Sequence, residues 1–376
     1  MKARKEELLT VVLFCGFLGF MLLCYILLPK EAFSPLEKRY LKETPQVTME
    51  NVLSGQFGED VEGYMADHVP GRNFFVGLNA YTQLLTGREV TMDIRVHSGG
   101  RLVEQPVEDN PAAVQKNMAA IQTFADKIGQ QVDLLIVPSA GWAMDKWEGD
   151  NRTLFGAELY RDDEIIGGIY DMAQGDLRPV DVLHVLGCNP DAYFKTDHHW
   201  NADGAYQVYA AYMNTLERWF MGREEYAVET VEGFYGSNYS RSGLWLTPAD
   251  TLELWHSGTE LNVTNGETEG VHEGVFYRER LEEADKYTVY LDGNHSVVRI
   301  DNPAKKGEGK LLVIRDSYSN LLGTFLAESY ETVVMVDLRY YKKAVSELAA
   351  QEGFDDILVC YSLGNFMTDA NIIWLR

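Results

Sequence analysis

From Leu8 to Leu28 the chain reads LLTVVLFCGFLGFMLLCYILL, about 21 residues without a charge. As a helix this run spans roughly 31 Å, a bilayer core, and predicts one membrane-crossing helix over 8–28 behind a short tail of residues 1–7. It exceeds the ~7 to 15 residues of a signal-peptide core, and no small-x-small cleavage site follows in LPKEAFSP. MLLC before Cys24 does not read as a lipoprotein box. Lys2, Arg4 and Lys5 precede the helix and Lys30, Lys38, Arg39 and Lys42 follow it, so flanking charge does not set its orientation.

Residues 29–100 form a polar, partly helical membrane-proximal segment in which ADHVPGRNFF is the most structured-looking stretch. Amphipathic alternation then begins, and an α/β domain is expected over 101–376. Val114, Met118, Ile121, Phe124 and Ile128 recur at three- and four-residue spacing between Asn110-Pro111 and Gly129, which predicts a capped helix. VDLLIVP reads as a buried strand. RDDEIIGGIYDMAQG and RPVDVLHVL predict a second helix–strand pair. The next helix starts at Asn201 or Asp203 and carries Tyr206, Tyr209, Met213, Leu216 and Phe220 on one face to about Gly222. Short alternating runs and Gly/Asn/Thr turns over about 225–305 predict a β-rich insertion. KLLVIRDSYSNLLGTFLAES, YETVVMVDLRYYKKAVSELAAQEG and FDDILVCYS then spell β-α-β-α-β, with right-handed crossovers. Continuous apolar strands beside amphipathic helices predict a parallel sheet covered on both faces.

Charge narrows the choice of partner. The formal charge of −24 repels nucleic-acid phosphates and anionic head groups, so a polyanionic substrate would need a local basic patch. The four cysteines add little: Cys15 and Cys24 fall in the membrane run. Cys188 and Cys360 could pair in an oxidising compartment, although the apolar setting of Cys360 favours a buried thiol.

The chemistry concentrates in KTDHHWNADGA. Asp197, His198 and His199 admit three readings: metal ligands, the acid and base of a serine hydrolase, or polar residues opening a helix. Three consecutive residues in an extended segment cannot all face one ion, and no second cluster with ligand spacing exists among eight histidines, so no metal and no organic cofactor is expected. In such a segment Asp197 and His199 point to one side as orienter and base, and His198 faces the other way; one residue of register separates the two candidate bases. Ser317 lies where the strand LLVIRD gives way to its helix, at the carboxyl end of a parallel strand where ligands gather. Alone it reads as a helix cap. Paired with an imidazole and a carboxylate it becomes a nucleophile, with the N–H groups of Ser317 and Tyr318 as oxyanion donors.

TDHHW with NADGAYQVYAAY, then FYGSNYSRSG, LLVIRDSYSN and VVMVDLRYY, and LEKRYL and MADHVPGRNFF near the start, resemble the DHHW family of bacterial membrane-anchored proteins. That family is similar to the catalytic domains of periplasmic alginate O-acetyltransferases within the SGNH hydrolase superfamily. The resemblance implies a three-layer αβα domain outside the cytoplasmic membrane. It places the Asp-x-His-Trp motif on Asp197, His199 and Trp200 and the Asp-Ser motif on Asp316 and Ser317. Arg315 stands where such proteins usually have glycine. Arg339, Tyr340 and Asn365 are by position further oxyanion or substrate candidates. The resemblance also implies a cell-surface polysaccharide as substrate and a membrane-bound O-acyltransferase as acyl donor, with transferase and esterase directions both open.

A non-catalytic SGNH-like scaffold that binds glycan or assembles an envelope complex is the competing reading. Trp142, Trp147, Trp200 and the tyrosines would offer sugar-stacking surfaces in either case.

Overall fold

The computed structural model describes residues 2–148, 160–187 and 189–375. Contacts divide the chain into two compact units, Met1–Met92 with Ser240–Leu246, and Asp93–Tyr239 with Thr247–Arg376. In the first, α1 (Lys2–Leu27) opens on charged residues and becomes apolar on every side from Leu8 onward, and its stretch Glu6–Leu27 is long and apolar enough to cross a membrane. Helices Gln56–Asp67 and Arg72–Leu85 follow. The second of these presents Gly77 to the Trp245 ring, where a Cβ would lie within 1.8 Å of ring carbon.

The second unit is built as the alternation predicts. Helix α2 (Pro111–Ile128) is capped by the Asn110 side chain on Ala113 N and ends at Gly129, whose φ of 62° suits a residue without Cβ. Strand β1 (Val132–Val137) is buried throughout, and α3 (Asp162–Asp171) leads to β2 (Leu177–Pro179). The run expected to continue as a strand instead turns helical at Leu183–Leu186, because the Asp181 carboxylate accepts from Leu183 N and starts a turn. Helix α4 (Ala202–Thr215) is capped by Asn201, not Asp203, and stops short of Gly222, with Glu217 in the left-handed region at φ 54°.

Residues 225–305 contain a hairpin, Ala227–Phe234 with Asp250–His256, and then strands β3 (Asn262–Asn265), β4 (His272–Glu273) and β5 (Val297–Asp301). The last three are not set apart from the main sheet: they extend it. After them come β6 (Lys310–Arg315), α5 (Ser319–Leu326), β7 (Thr332–Val336), α6 (Val345–Glu352) and β8 (Asp356–Ser362). The sheet order is β4-β3-β5-β7-β6-β8-β1-β2. It is parallel from β7 to β2 and antiparallel from β7 outward through β5.

Alternate residues of each central strand feed two separate cores. Leu311, Val313, Met335, Leu358 and Cys360 pack with Tyr209, Met213 and Phe325 of α4 and α5. Leu312, Ile314, Val334, Ile357 and Val359 pack with Met118, Phe124, Ile166 and Val345 of α2, α3 and α6. The fold is therefore three layers, α/β/α. From β6 the chain runs to β7 on one side and next to β8 on the other, so the crevice at the carboxyl end of β6 is where ligands gather in such sheets.

Candidate active site

Ser317 occupies that crevice. From Leu311 to Tyr330 every residue is buried except Ser317, which is partly exposed. The turn that carries it is fixed by Asp316, buried at 1% exposure. Its Oδ1 accepts from Tyr318 N at 3.0 Å, and its Oδ2 accepts from Ser362 N, Ser362 Oγ and Asn365 Nδ2 at 2.8, 2.7 and 2.8 Å. The turn that carries Ser317 is thus tied to the end of β8.

Asp197, His198 and His199 lie in a tight turn rather than an extended segment. Tyr193 and Trp200 form an antiparallel bridge across it, Phe194 N donates to His199 O at 3.2 Å, and Asp250 accepts from Lys195 N, Thr196 N and Thr196 Oγ1. Buried Arg101 clamps the base of the turn, its Nη1 donating to the carbonyls of Tyr193 and Phe194 at 2.7 and 2.9 Å. Folding the loop back brings Asp197 Oδ1 to 2.5 Å from His199 Nδ1 and 2.9 Å from His199 N. His199 Nε2 then lies 2.8 Å from Ser317 Oγ.

Two cross-links hold the loop against the serine turn. Trp200, fully buried, donates from Nε1 to Tyr318 O at 3.0 Å, and Tyr318 OH donates back to His198 O. A third segment closes over Asp197: Ser237 N donates to its Oδ2 at 2.7 Å, and Gly236 passes so near that an added Cβ would sit 2.2 Å from Asp197 Cβ.

The tight turn corrects the expectation for His198. It does not face away. Its ring lies against that of His199, tilted by 35° with centroids 3.9 Å apart, and its Nδ1 lies 2.6 Å from Ser237 Oγ. The geometric objection to a metal also fails, because Asp197, His198 and His199 bring ligand atoms within 4.8 Å of one another. Both ring nitrogens of His199 are hydrogen-bonded, as is Nδ1 of His198.

The electrostatics divide the roles. Burial alone would push the Asp197 carboxyl up, but the imidazoles of His199 and His198 and the bonds from His199 and Ser237 more than offset it and hold the group well below the usual carboxylate range. Burial, reinforced by His199, pushes His198 down toward its neutral form. The pair is thus one imidazole bridging an ionised carboxylate and a hydroxyl, beside a second kept neutral.

The remaining candidates stand around this centre. Tyr318 N–H is engaged by Asp316, and among the described residues no acceptor meets Ser317 N–H. Asn365 reaches Asp316. Arg339 forms a fork on Asp337, with Nε to Oδ1 at 2.9 Å and Nη2 to Oδ2 at 2.6 Å, and Tyr340 is exposed beside it. Arg315 is fully buried, and its Nη1 donates to Asn294 Oδ1 and Asn320 Oδ1 at 3.0 and 2.6 Å. Trp142 and Trp200 are buried and offer no sugar-stacking face, whereas Trp147 is exposed. Cys188 lies outside the described residues; burial pushes the Cys360 thiol up to about 12. Sequence reasoning missed Ser237, Gly236 and Tyr287. The first two stood in FYGSNYS without chemical signal, and Tyr287 sat in the β-rich stretch with nothing to single it out.

Comparison with known proteins agrees with this architecture. Residues 182–336 match the family model described as DHHW protein, a stretch that includes both the TDHHW loop and the serine turn. Its fold is similar to that of a DHHW family protein from Eubacterium siraeum, at 22% identity and a TM-score of 0.65 over 76% of this chain and 95% of that one. It is also similar to PatB1 from Bacillus cereus, solved with a sulfonyl adduct, at 19% identity and a TM-score of 0.59 over 74% and 97% of the two chains. No curated protein sequence matches the chain.

Proposed function

We propose that this protein is a serine acyltransferase or acylesterase whose domain works outside the membrane, moving acetyl groups on or off a cell-surface polysaccharide. The observation that carries the reading is the unbroken hydrogen-bond path Asp197 to His199 to Ser317, at 2.5 and 2.8 Å. A serine hydroxyl is a weak nucleophile until an imidazole takes its proton, and the imidazole needs a carboxylate to fix its tautomer. In this reading Ser317 Oγ attacks the acyl carbonyl while its proton passes to His199 Nε2. Asp197 holds Nδ1 protonated and stabilises the imidazolium. Ser317 N–H receives the developing oxyanion. His199 then returns the proton to the leaving group, and the acyl-serine passes its acyl group to a sugar hydroxyl or to water.

The acetyl group, the polysaccharide and a membrane-bound O-acyltransferase as donor come from the resemblance to the DHHW and alginate O-acetyltransferase families. The fold neighbour PatB1, solved with a sulfonyl adduct, supports a sulfonyl-reactive group in this fold. The helix α1 supports a membrane anchor.

The test is turnover of 4-nitrophenyl acetate by the full chain in detergent, with and without polysaccharide acceptors. Release of nitrophenol that disappears in a folded Ser317→Ala variant supports the reading. Equal release by both variants would contradict it.

A further inference from the structure

We propose that Tyr287 is a positioning residue for His199: its ring forms one wall of the imidazole's slot and stabilises the protonated form by its π face. This rests on the acyl-transfer reading above and deepens it. The Tyr287 ring lies parallel to the His199 ring, 4.0 Å between centroids and 10° between planes. Tyr287 is buried, and its OH donates to the backbone carbonyl of Ser317 at 3.3 Å, so one side chain touches both the His199 ring and the main chain that carries Ser317. His198 covers the imidazole from another side at 3.9 Å and Tyr318 at 4.8 Å, which leaves the ring little freedom to swing off Ser317.

The backbone that delivers Tyr287 is itself pinned. Residues Leu291, Asp292 and Gly293 are consecutively left-handed at φ 58°, 63° and 81°, a conformation that persists only where surroundings impose it. Those surroundings are visible. Asp292 Oδ1 accepts from Arg280 Nε at 2.6 Å, and Asn294 Oδ1 accepts from Arg315 Nη1 at 3.0 Å and Asn320 Nδ2 at 3.2 Å. Buried Arg315, which stands next to Asp316 and Ser317 in the chain, therefore ties the strap 287–294 to the serine turn.

An imidazolium against an aromatic face is stabilised relative to one against an aliphatic wall. The titratable and charged groups around the stack are Asp197, His198, Tyr318, Tyr290, Asp316, Arg315 and Glu104, and none of them changes in a Tyr287 variant. Leucine would keep the slot dry while removing the π face. The midpoint for activation of Ser317 should then fall.

The test is the pH dependence of sulfonyl fluoride labelling of the full chain in detergent, read by intact mass. It is measured for wild type, Tyr287→Phe, Tyr287→Leu and Asn294→Ala, with Ser317→Ala as the blank. Tyr287→Phe is expected to keep the wild-type midpoint and a rate within about twofold. Tyr287→Leu should lower the midpoint by about half a unit or more, with a slower plateau. Asn294→Ala, which keeps the ring but frees its strap, should move the midpoint the same way by less. A wild-type midpoint in either folded variant, Leu or Ala, overturns the proposal. A wild-type chain that takes no label contradicts the acyl-transfer reading itself and removes the inference with it.

Discussion

Gly236 and Asp197 touch backbone to side chain: a methyl group at 236 would sit 2.2 Å from Asp197 Cβ and 2.5 Å from its Oδ2. The Asp197 carboxylate has room only because residue 236 has no side chain. Gly236→Ala should therefore displace Asp197, tilt His199 and lower acyl turnover by about a hundredfold, the scale set by a ~1 Å misplacement. Turnover of 4-nitrophenyl acetate, beside a circular dichroism spectrum that stays native, checks this.

The two histidines should separate cleanly. His199→Ala removes the imidazole bonded to Ser317 Oγ and should cost about 10² to 10⁴ in kcat. His198→Ala leaves that bond in place and should cost about tenfold or less. Measuring kcat for both variants assigns the base.

Asp316 is the hub of the serine turn, and its removal should cost stability as well as activity. Asp316→Ala leaves Tyr318 N, Ser362 N and Asn365 Nδ2 without their acceptor. At about 1 to 3 kcal/mol for each buried unsatisfied donor, the loss should be about 3 kcal/mol or more, read from urea unfolding in detergent.

Acid should destabilise the domain through the motif itself. Asp197 is held below its unfolded value, so its contribution is present above the unfolded carboxylate pKa of about 4 and is lost as pH falls through the folded value. His198 is also held below its unfolded value of about 6.5, so the folded state binds its proton less readily and loses stability as pH falls from there. Thermal unfolding should show a decline between about pH 7 and 5 that His198→Gln reduces, and a second, below about pH 4, that Asp197→Asn reduces. Unchanged slopes in both variants would remove the electrostatic account of the turn.

The sequence carried the fold well where the pattern is local. Pro111, the cap at Asn110 and Gly129 delimit α2 as read, and the apolar runs around Ser317 became β6, β7 and β8. Pattern could not say that β3, β4 and β5 join the same sheet, because strand pairing depends on partners tens of residues away. The same limit governs the site. Asp197, His199, Trp200, Asp316 and Ser317 were legible as motifs. The orientation of His198 was not, since an extended loop and a tight turn read alike until Arg101 and Asp250 are seen clamping it. Tyr287 was invisible for a related reason: nothing in KYTVY marks one tyrosine as the wall of an imidazole slot.

The central claim is that Ser317 is activated by His199. The most direct measurement mixes the full chain in detergent with 4-nitrophenyl acetate, quenches in acid within seconds and locates the acetyl group by peptide mass spectrometry. The account predicts one acetyl group, on Ser317, absent from both Ser317→Ala and His199→Ala. An acetyl group found on another residue, or none on a folded wild-type chain, would contradict it and turn attention to a scaffold that keeps the geometry without the chemistry.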